Sequence, residues 1–355
     1  MRILIVAGKL TYSNQTTYTI GLIRGLSRRG HEVQIAALGG PLFSQVEGLG
    51  AETYLVKFNF FSRRRLLGFL RDFGPDVIHA TGGDKAMRIA AGYSRHFGVP
   101  LIHTFHSWLP EDRAARLHHS VAGVVAVNQG LREHLVNELN VPKGKIRVIP
   151  YGVDGGELPA TMSDSEAPGG GGRIPVVGTI GRLRRGRRHD EFLKAARLVH
   201  ERVKEVHFMI AGDGVDEDRL RRLTRELSLQ DAVTFVQPQS GAVNMNSVFD
   251  VLVIVSDWGG VGLNLLEGMA QERPVIATGG GEVFSILGKE EVCVLVPPGD
   301  TERLAEEIIA LLAHPEKRRE LGRKGREYVI GHYPLEDQVM RTEDYYGEIA
   351  GAPPA

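Results

Sequence analysis

The sequence predicts two open α/β domains, each a doubly wound parallel sheet with helices on both faces. Three observations predict it. Short apolar runs alternate with segments of helical spacing along the chain. Several of these runs follow a proline, as in "PDVIHAT" and "PLIHTFH", and read as strands buried on both faces. A glycine-rich break, "SDSEAPGGGG", interrupts the alternation, which restarts at "IPVVGTIG". A length of 355 residues suits two such domains.

Ile3 to Ala7 is a five-residue apolar run of mostly strand-forming residues, a first β-strand rather than a signal peptide. Helical spacing follows from Thr17 to Arg29 and stops at Gly30. "HEVQIAAL", "PDVIHAT", "PLIHTFH" and "AGVVAVN" are the next strands. A helix over 129–139 and the strand "IRVIPYGVD" follow. After the break come strands at "VHFMIAG", "AVTFVQ", "VLVIVS", "PVIAT" and "VCVLVP". Helices are expected near 190–203, 216–228, 262–271 and 301–313. Helical patterning continues from Glu316, broken by Gly331 and Pro334. The expected division is a first domain at 1–158, a linker at 159–172 and a second domain at 173–334. A last helix at 335–352 is expected to pack back on the first domain.

Apolar content is 42% and charged content 24%, ordinary for a globular protein. Lys and Arg balance Asp and Glu at 43 each, so total charge gives no argument for a nucleic-acid partner. Cys293 is the one cysteine; it excludes an intrachain disulfide and suits a cytoplasmic protein. No apolar stretch approaches the roughly 18 residues a membrane span needs. No Cys/His grouping has metal-ligand spacing.

Ligands of doubly wound sheets bind beyond the carboxyl ends of the strands, so the residues just after each strand carry the information. "SDWGGVGLNLLEGMA" follows the apolar run Val251 to Val255. Gly260 and Gly262 let a ligand approach the backbone. Leu263 and Asn264 offer N–H groups at a helix start, a site that suits phosphate. Glu267, a turn further in, suits the two hydroxyls of a ribose. A tight strand-to-helix turn with a surface glutamate fits the glycines equally well. "GTIGRLRRGRRHD" also leads from a strand to a helix. Gly178 and Gly181 free its backbone, and Arg182, Arg184, Arg185, Arg187 and Arg188 crowd into seven positions. Arginine forks bind phosphate, and such a cluster after a strand fits an anion site better than a solvated loop. Two such turns in one domain suggest a diphosphate held from both sides.

With these residues in view, the chain resembles the retaining glycosyltransferases of family 4, which have the GT-B fold. "GHEVQIAAL", "PDVIHATGG", "IHTFHS", "IRVIPYGVD", "GTIGRL", "MIAGDG", "GVGLNLLEGMA", "RPVIAT" and "VLVPPGDTERLAEEI" all fall in the family's order. The resemblance implies two Rossmann-like domains facing across a cleft. It implies a nucleoside-diphosphate sugar donor held mainly by the C-terminal domain and an acceptor met by the N-terminal one. Transfer of a hexose-type sugar to an acceptor hydroxyl with retention, no bound metal and no cofactor beyond the donor is expected. The acceptor would be a growing glycan, a glycolipid or a small metabolite, as in cell-envelope polysaccharide synthesis. Arg182 matches the family arginine on the diphosphate, and Arg187 stands where a lysine is usual. Glu267 matches the second glutamate of the family's Glu-x7-Glu motif, and His106 matches a cleft histidine near the donor sugar.

Two departures stand out. The first glutamate of that motif is Gly259; Asp257 is close enough in sequence to take over the sugar hydroxyls. The alternatives are a nucleotide-sugar-binding protein that has lost transfer, or a sugar-nucleotide epimerase on the same fold. Near the N-terminus, Asn14, Gln15 and Thr16 replace an expected glycine turn on the acceptor side. They suit a hydroxyl-rich acceptor, and equally the cap of a helix. The aromatic and basic stretch at 57–71 fits a helix packed on the sheet better than docking on the inner face of a membrane. "AGDG" at 211–214 is either a wall of the base pocket or a plain turn.

Overall fold

A computed structural model describes residues 1–56, 67–68, 70–107, 120–156, 173–237, 245–256 and 261–351. The chain forms two compact units, Met1–Gly152 with Leu335–Ala355, and Val153–Pro334. The chain thus leaves the first unit at Gly152, ahead of the division expected at 158. The expected linker at 159–172 lies outside the described residues, as does most of 57–71.

The first unit holds seven strands: β1 (Arg2–Ala7), β2 (Glu32–Ala37), β3 (Glu52–Leu55), β4 (Val77–Ala80), β5 (Leu101–Phe105), β6 (Gly123–Ala126) and β7 (Ile146–Val148). All run parallel in the order β3-β2-β1-β4-β5-β6-β7. The central strands β4, β5 and β6 are buried at every position, so they read as continuous apolar runs. α1 (Asn14–Arg28) begins three residues before the expected Thr17, because the extended Ser13 accepts from the Thr16 N–H and caps it. α2 (Phe43–Glu47), α3 (Asp84–Phe97) and α4 (Gln129–Asn137) complete this part. α2, α3 and β3 are additions to the elements read from the sequence. α3 buries Ala86, Met87, Ala90, Ala91 and Tyr93 and stops at Gly98 in the left-handed region.

The second unit holds β8 (Val176–Ile180), β9 (His207–Ala211), β10 (Val233–Val236), β11 (Val251–Ile254), β12 (Val275–Thr278) and β13 (Val294–Val296). Its order is β10-β9-β8-β11-β12-β13, again parallel. In both sheets the strand order reverses beside the first strand, between β1 and β4 and between β8 and β11. Those reversals open crevices at the strands' carboxyl ends. The covering helices are α5 (His189–Arg202), α6 (Glu217–Glu226), α7 (Leu263–Ala270), α8 (Gly281–Leu287), α9 (Thr301–Ala313) and α10 (Pro315–His332). Val177, Phe192, Phe208, Ile210, Val251, Val253 and Ile308 are fully buried between sheet and helices. Gly178 lies inside β8, where a Cβ would come 2.1 Å from the Phe249 ring. It makes room for that ring, which corrects its reading as part of the phosphate turn. Arg318 is almost fully buried and donates to the Leu311 and Leu312 carbonyls, closing the end of α9.

The last helix, α11 (Leu335–Ala350), returns to the first unit. It lies in a groove on α1 made by Gly21 and Gly25, which meet Leu335 and Val339. A Cβ on Gly25 would fall 2.3 Å from Val339. Arg29 pairs with Glu336 at 2.8 Å and Glu343 at 2.5 Å, and the Tyr345 hydroxyl donates to the Lys145 carbonyl.

Candidate functional site

In the second unit the two singled-out turns are neighbours. β8 and β11 pair directly, and their carboxyl-end turns are tied by a bond from Asn264 Nδ2 to the Ile180 carbonyl at 2.9 Å. Gly181, at φ +154, is the turn's left-handed pivot, and its α-carbon faces the Asn264 amide. The arginine turn is braced from its other side by "AGDG". Leu183 N–H donates to the Asp213 carbonyl and Gly181 N–H to that of Ala211. A Cβ on Gly212 would strike the Gly181 carbonyl, and one on Gly214 the Leu183 carbonyl. These two glycines therefore serve backbone contact between adjacent turns.

The arginines divide by their surroundings. Arg182 is held by both oxygens of Asp213 at 2.8 and 2.9 Å on the surface. Arg188 sits at φ +48 and pairs with buried Glu191. Arg184 is half-buried. Its desolvation, with repulsion from Arg187 and then Arg182, lowers its pKa to about 10. Two neighbouring guanidiniums thus disfavour the charged form of Arg184, an environment that a bound anion would relieve. His189 opens α5 with a buried, unpartnered Nδ1, and burial and Arg187 lower its pKa to about 4.

α7 starts at Gly262, whose φ of −97 needs no glycine. Among the described residues, a Cβ there would meet nothing within 4 Å. No described side chain caps the helix, and the first intrahelical bonds to Gly262 come from the N–H groups of Leu265 and Leu266. The N–H groups of Leu263 and Asn264 thus have no intrahelical partner and lie at the positive end of the helix. Glu267 follows one turn in. Its carboxylate has no hydrogen bond among the described residues, and burial raises its pKa to about 7. Asp257, Gly259 and Gly260 lie outside the described residues.

In the first unit, His106 follows the last residue of β5. Its Nδ1 lies 3.0 Å from the Tyr151 hydroxyl, and its Nε2 is buried without a hydrogen-bond partner. Tyr18 meets the ring edge-on at 4.9 Å and Tyr151 lies nearly parallel to it at 5.9 Å. Burial, reinforced by His103 and opposed by the Thr81 carbonyl, lowers the His106 pKa to about 3, so the ring is neutral. Behind it runs a buried chain of polar groups. Tyr18 Oη lies 3.2 Å from Thr104 Oγ1, Thr104 Oγ1 lies 2.7 Å from His79 Nε2, and His79 Nδ1 lies 2.5 Å from the Tyr346 hydroxyl on α11. Sequence reasoning missed Tyr18, His79, Thr104 and Tyr151. The one available signal was histidine and threonine inside strands otherwise wholly apolar. Asn14, Gln15 and Thr16 form the first turn of α1. Thr16 is buried and its hydroxyl lies against the Ser13 cap. The capping role is therefore filled, and Asn14 and Gln15 stay partly exposed at the carboxyl end of β1.

No helix among the described residues is long and apolar enough to cross a membrane. A family model described as glycosyl transferases group 1 matches residues 166–328, and one described as glycosyltransferase family 4 matches residues 15–155. The chain is 28% identical over 171 residues to the N-acetyl-alpha-D-glucosaminyl L-malate synthase of Bacillus anthracis, covering 48% of this chain and 44% of that one. It is 24% identical to an uncharacterized glycosyltransferase of Methanocaldococcus jannaschii, with 92% of each chain covered. Among solved structures, the Anabaena protein HepE in complex with UDP-glucose superposes with a TM-score of 0.84 at 15% identity, covering 98% of this chain and 100% of that one. Two matching models that between them reach both parallel-sheet units, and a full-length likeness of fold, show that the chain belongs to the group 1, family 4 glycosyltransferases and has their GT-B fold.

Proposed function

We propose that this chain transfers a hexose-type sugar, with retention, from a nucleoside-diphosphate sugar to an acceptor hydroxyl, without a bound metal. The observation that supports this most is the bond between Asn264 and Ile180, which sets the N-terminus of α7 beside the arginine-bearing turn. Charge develops on the leaving diphosphate as its bond to the sugar C1 breaks. Arg182, Arg184 and Arg187 and the N–H groups of Leu263 and Asn264 supply fixed positive potential where that charge appears. Arg182 engages it by exchanging its Asp213 partner for phosphate oxygens. The acceptor oxygen forms the new bond to C1 and gives up its proton to the departing diphosphate. Glu267 takes the ribose hydroxyls and His106 the sugar. The bound UDP-glucose of the Anabaena structure is a donor of this class. The Bacillus relative's name specifies a product built on a small hydroxy acid.

A thermal-shift panel of UDP-, GDP-, ADP- and TDP-sugars tests the reading, since a ligand of the native state raises the melting temperature. One donor base is expected to stand out. Loss of charge-assisted bonds to the ribose in Glu267→Ala is expected to weaken it about tenfold. Equal affinity of that variant and wild type would overturn the assignment of Glu267. Donor consumed only when an acceptor is present separates transfer from epimerisation, and tight binding with neither reaction identifies a binding protein.

A further inference from the structure

Among the described residues, the side chains of Arg182 and Asp213 bond only to each other. Both carboxylate oxygens accept from one nitrogen, Nη1, at 2.8 and 2.9 Å. Nη2 and Nε take no part, so the pair lacks the two-nitrogen fork that makes arginine–carboxylate contacts strong. Both side chains are about half exposed, which screens the attraction further. Such a pair opens readily to a ligand of higher charge.

The carboxylate is nevertheless kept in place by the backbone. Leu183 N–H donates to the Asp213 carbonyl at 2.8 Å, and Asp216 N–H donates to the Leu183 carbonyl at 3.1 Å. Leu183 itself is fully buried and anchors this contact. A glycine stands on each side of Asp213. A Cβ on Gly212 would lie 1.9 Å from the Gly181 carbonyl oxygen, and one on Gly214 would lie 2.2 Å from that of Leu183. The two glycines thus let the turns touch and bring an aspartate onto Arg182. Asp213 stays beside Arg182 whether or not the guanidinium is bonded to it.

We propose that Asp213 is a built-in competitor for the diphosphate: it holds Arg182 while the site is empty, yields it to the phosphates, and retakes it as the nucleoside diphosphate product leaves. This rests on the function proposed above, in which Arg182 engages the diphosphate. The exchange weakens donor and product alike. It also speeds the departure of a product whose terminal phosphate has gained an ionisable oxygen.

Calorimetric titration with UDP, GDP, ADP and TDP finds the tightest of the four, which then serves as the probe. Asp213→Asn removes the charge while keeping the size of the side chain and the backbone bonds of the turn; Asp213→Ser is a second neutral variant. Each is expected to bind the probe about two- to fivefold tighter than wild type, the range of one exposed ion pair. The gain is expected in a slower dissociation rate, read by displacing a fluorescent analogue of the probe. Added salt is expected to shrink the difference. Asp213→Glu, which keeps the charge, is expected to stay near wild type. In an Arg182→Met background the aspartate has nothing to hold, so Asp213→Asn is expected to leave affinity unchanged. Equal or weaker binding by both neutral variants overturns the proposal, and weaker binding makes Asp213 a support for Arg182 instead. The same gain in the Arg182→Met background also overturns it, since repulsion between carboxylate and phosphate would then be the whole effect. Failure of every probe to bind wild type and both neutral variants overturns the function proposed above together with the role of Asp213.

Discussion

Glu267 lies one turn inside α7 with its carboxylate unbonded among the described residues, and burial places its pKa near 7. Ribose hydroxyls donate hydrogen bonds, so they select the ionised form, which burial disfavours. Donor affinity is therefore expected to rise with pH until Glu267 ionises freely, changing up to about tenfold per pH unit below neutrality. The two phosphates of a nucleotide sugar keep constant charge over this range, so titration calorimetry between pH 5.5 and 8 isolates the glutamate. The ligand-free chain carries the opposite sign. A raised native pKa gives stability that is full below the unfolded value of 4.5 and is lost as pH rises through 7. Glu267→Gln, neutral throughout, is expected to be more stable than wild type at pH 8 and to lose the pH dependence of affinity. Glu267 and Gly262 were legible because each follows a strand at a fixed offset. The state of the carboxyl was not, since it depends on what packs around it. Nor was the hold of Asp213 on Arg182, a contact between turns 31 residues apart.

Among the elements, long strongly patterned ones were legible nearly to their ends. The helices expected near 190–203, 216–228 and 301–313 appear as α5, α6 and α9 at Arg202, Glu226 and Ala313 or within a few residues of them. Elements stabilised by their surroundings were not. β3 is a four-residue edge strand with no fully buried position, and α2 buries only Val46. The glycines of α1 show the same limit from another side. Gly21 and Gly25 read as weak points of a helix until Leu335 and Val339 are seen lying across them. Gly25→Val is expected to force α11 off α1 at a cost of about 2–3 kcal/mol. Urea unfolding would measure the loss, and limited proteolysis would begin in 335–350 before it touches the second unit. Gly30→Val, where no atom lies within 4 Å but φ is +84, is expected to cost about 1–2 kcal/mol through backbone strain alone and to leave α11 docked.

For the molecule as a whole, the two-domain α/β class was legible because β-α alternation is written in apolar periodicity. The return of α11 to the first unit was expected, but periodicity does not carry it, since nothing in a helical stripe names its partner. The two units also differ in how they meet acid. The first holds His79 and His103, both buried, and His106, partly buried, as neutral rings with pKa values of about 3, 4 and 3. Among described residues of the second, His189 is the buried counterpart, at about 4. A lowered histidine pKa gives stability that is present above the unfolded value of 6.5 and is lost as pH falls toward the native value. Three such rings make the first unit lose about 4 kcal/mol per pH unit below 6. Hydrogen exchange at pH 5 is expected to quicken in β4 and β5 well before it quickens in β8 and β11. Equal quickening in both sheets would show that the buried histidines do not set the acid limit.

The excursion of the chain out of the first unit at Gly152 and back at Leu335 has a consequence for biosynthesis. The strands of the first sheet leave the ribosome before the second unit, and the helix that covers them leaves after it. Until α11 arrives, Val339 leaves the glycine trough of α1 open, and Tyr346 leaves the His79 ring without its hydroxyl neighbour. The first unit thus finishes folding only after the second has been made. A stop codon shortly before Leu335 should cripple that half while sparing the intervening one.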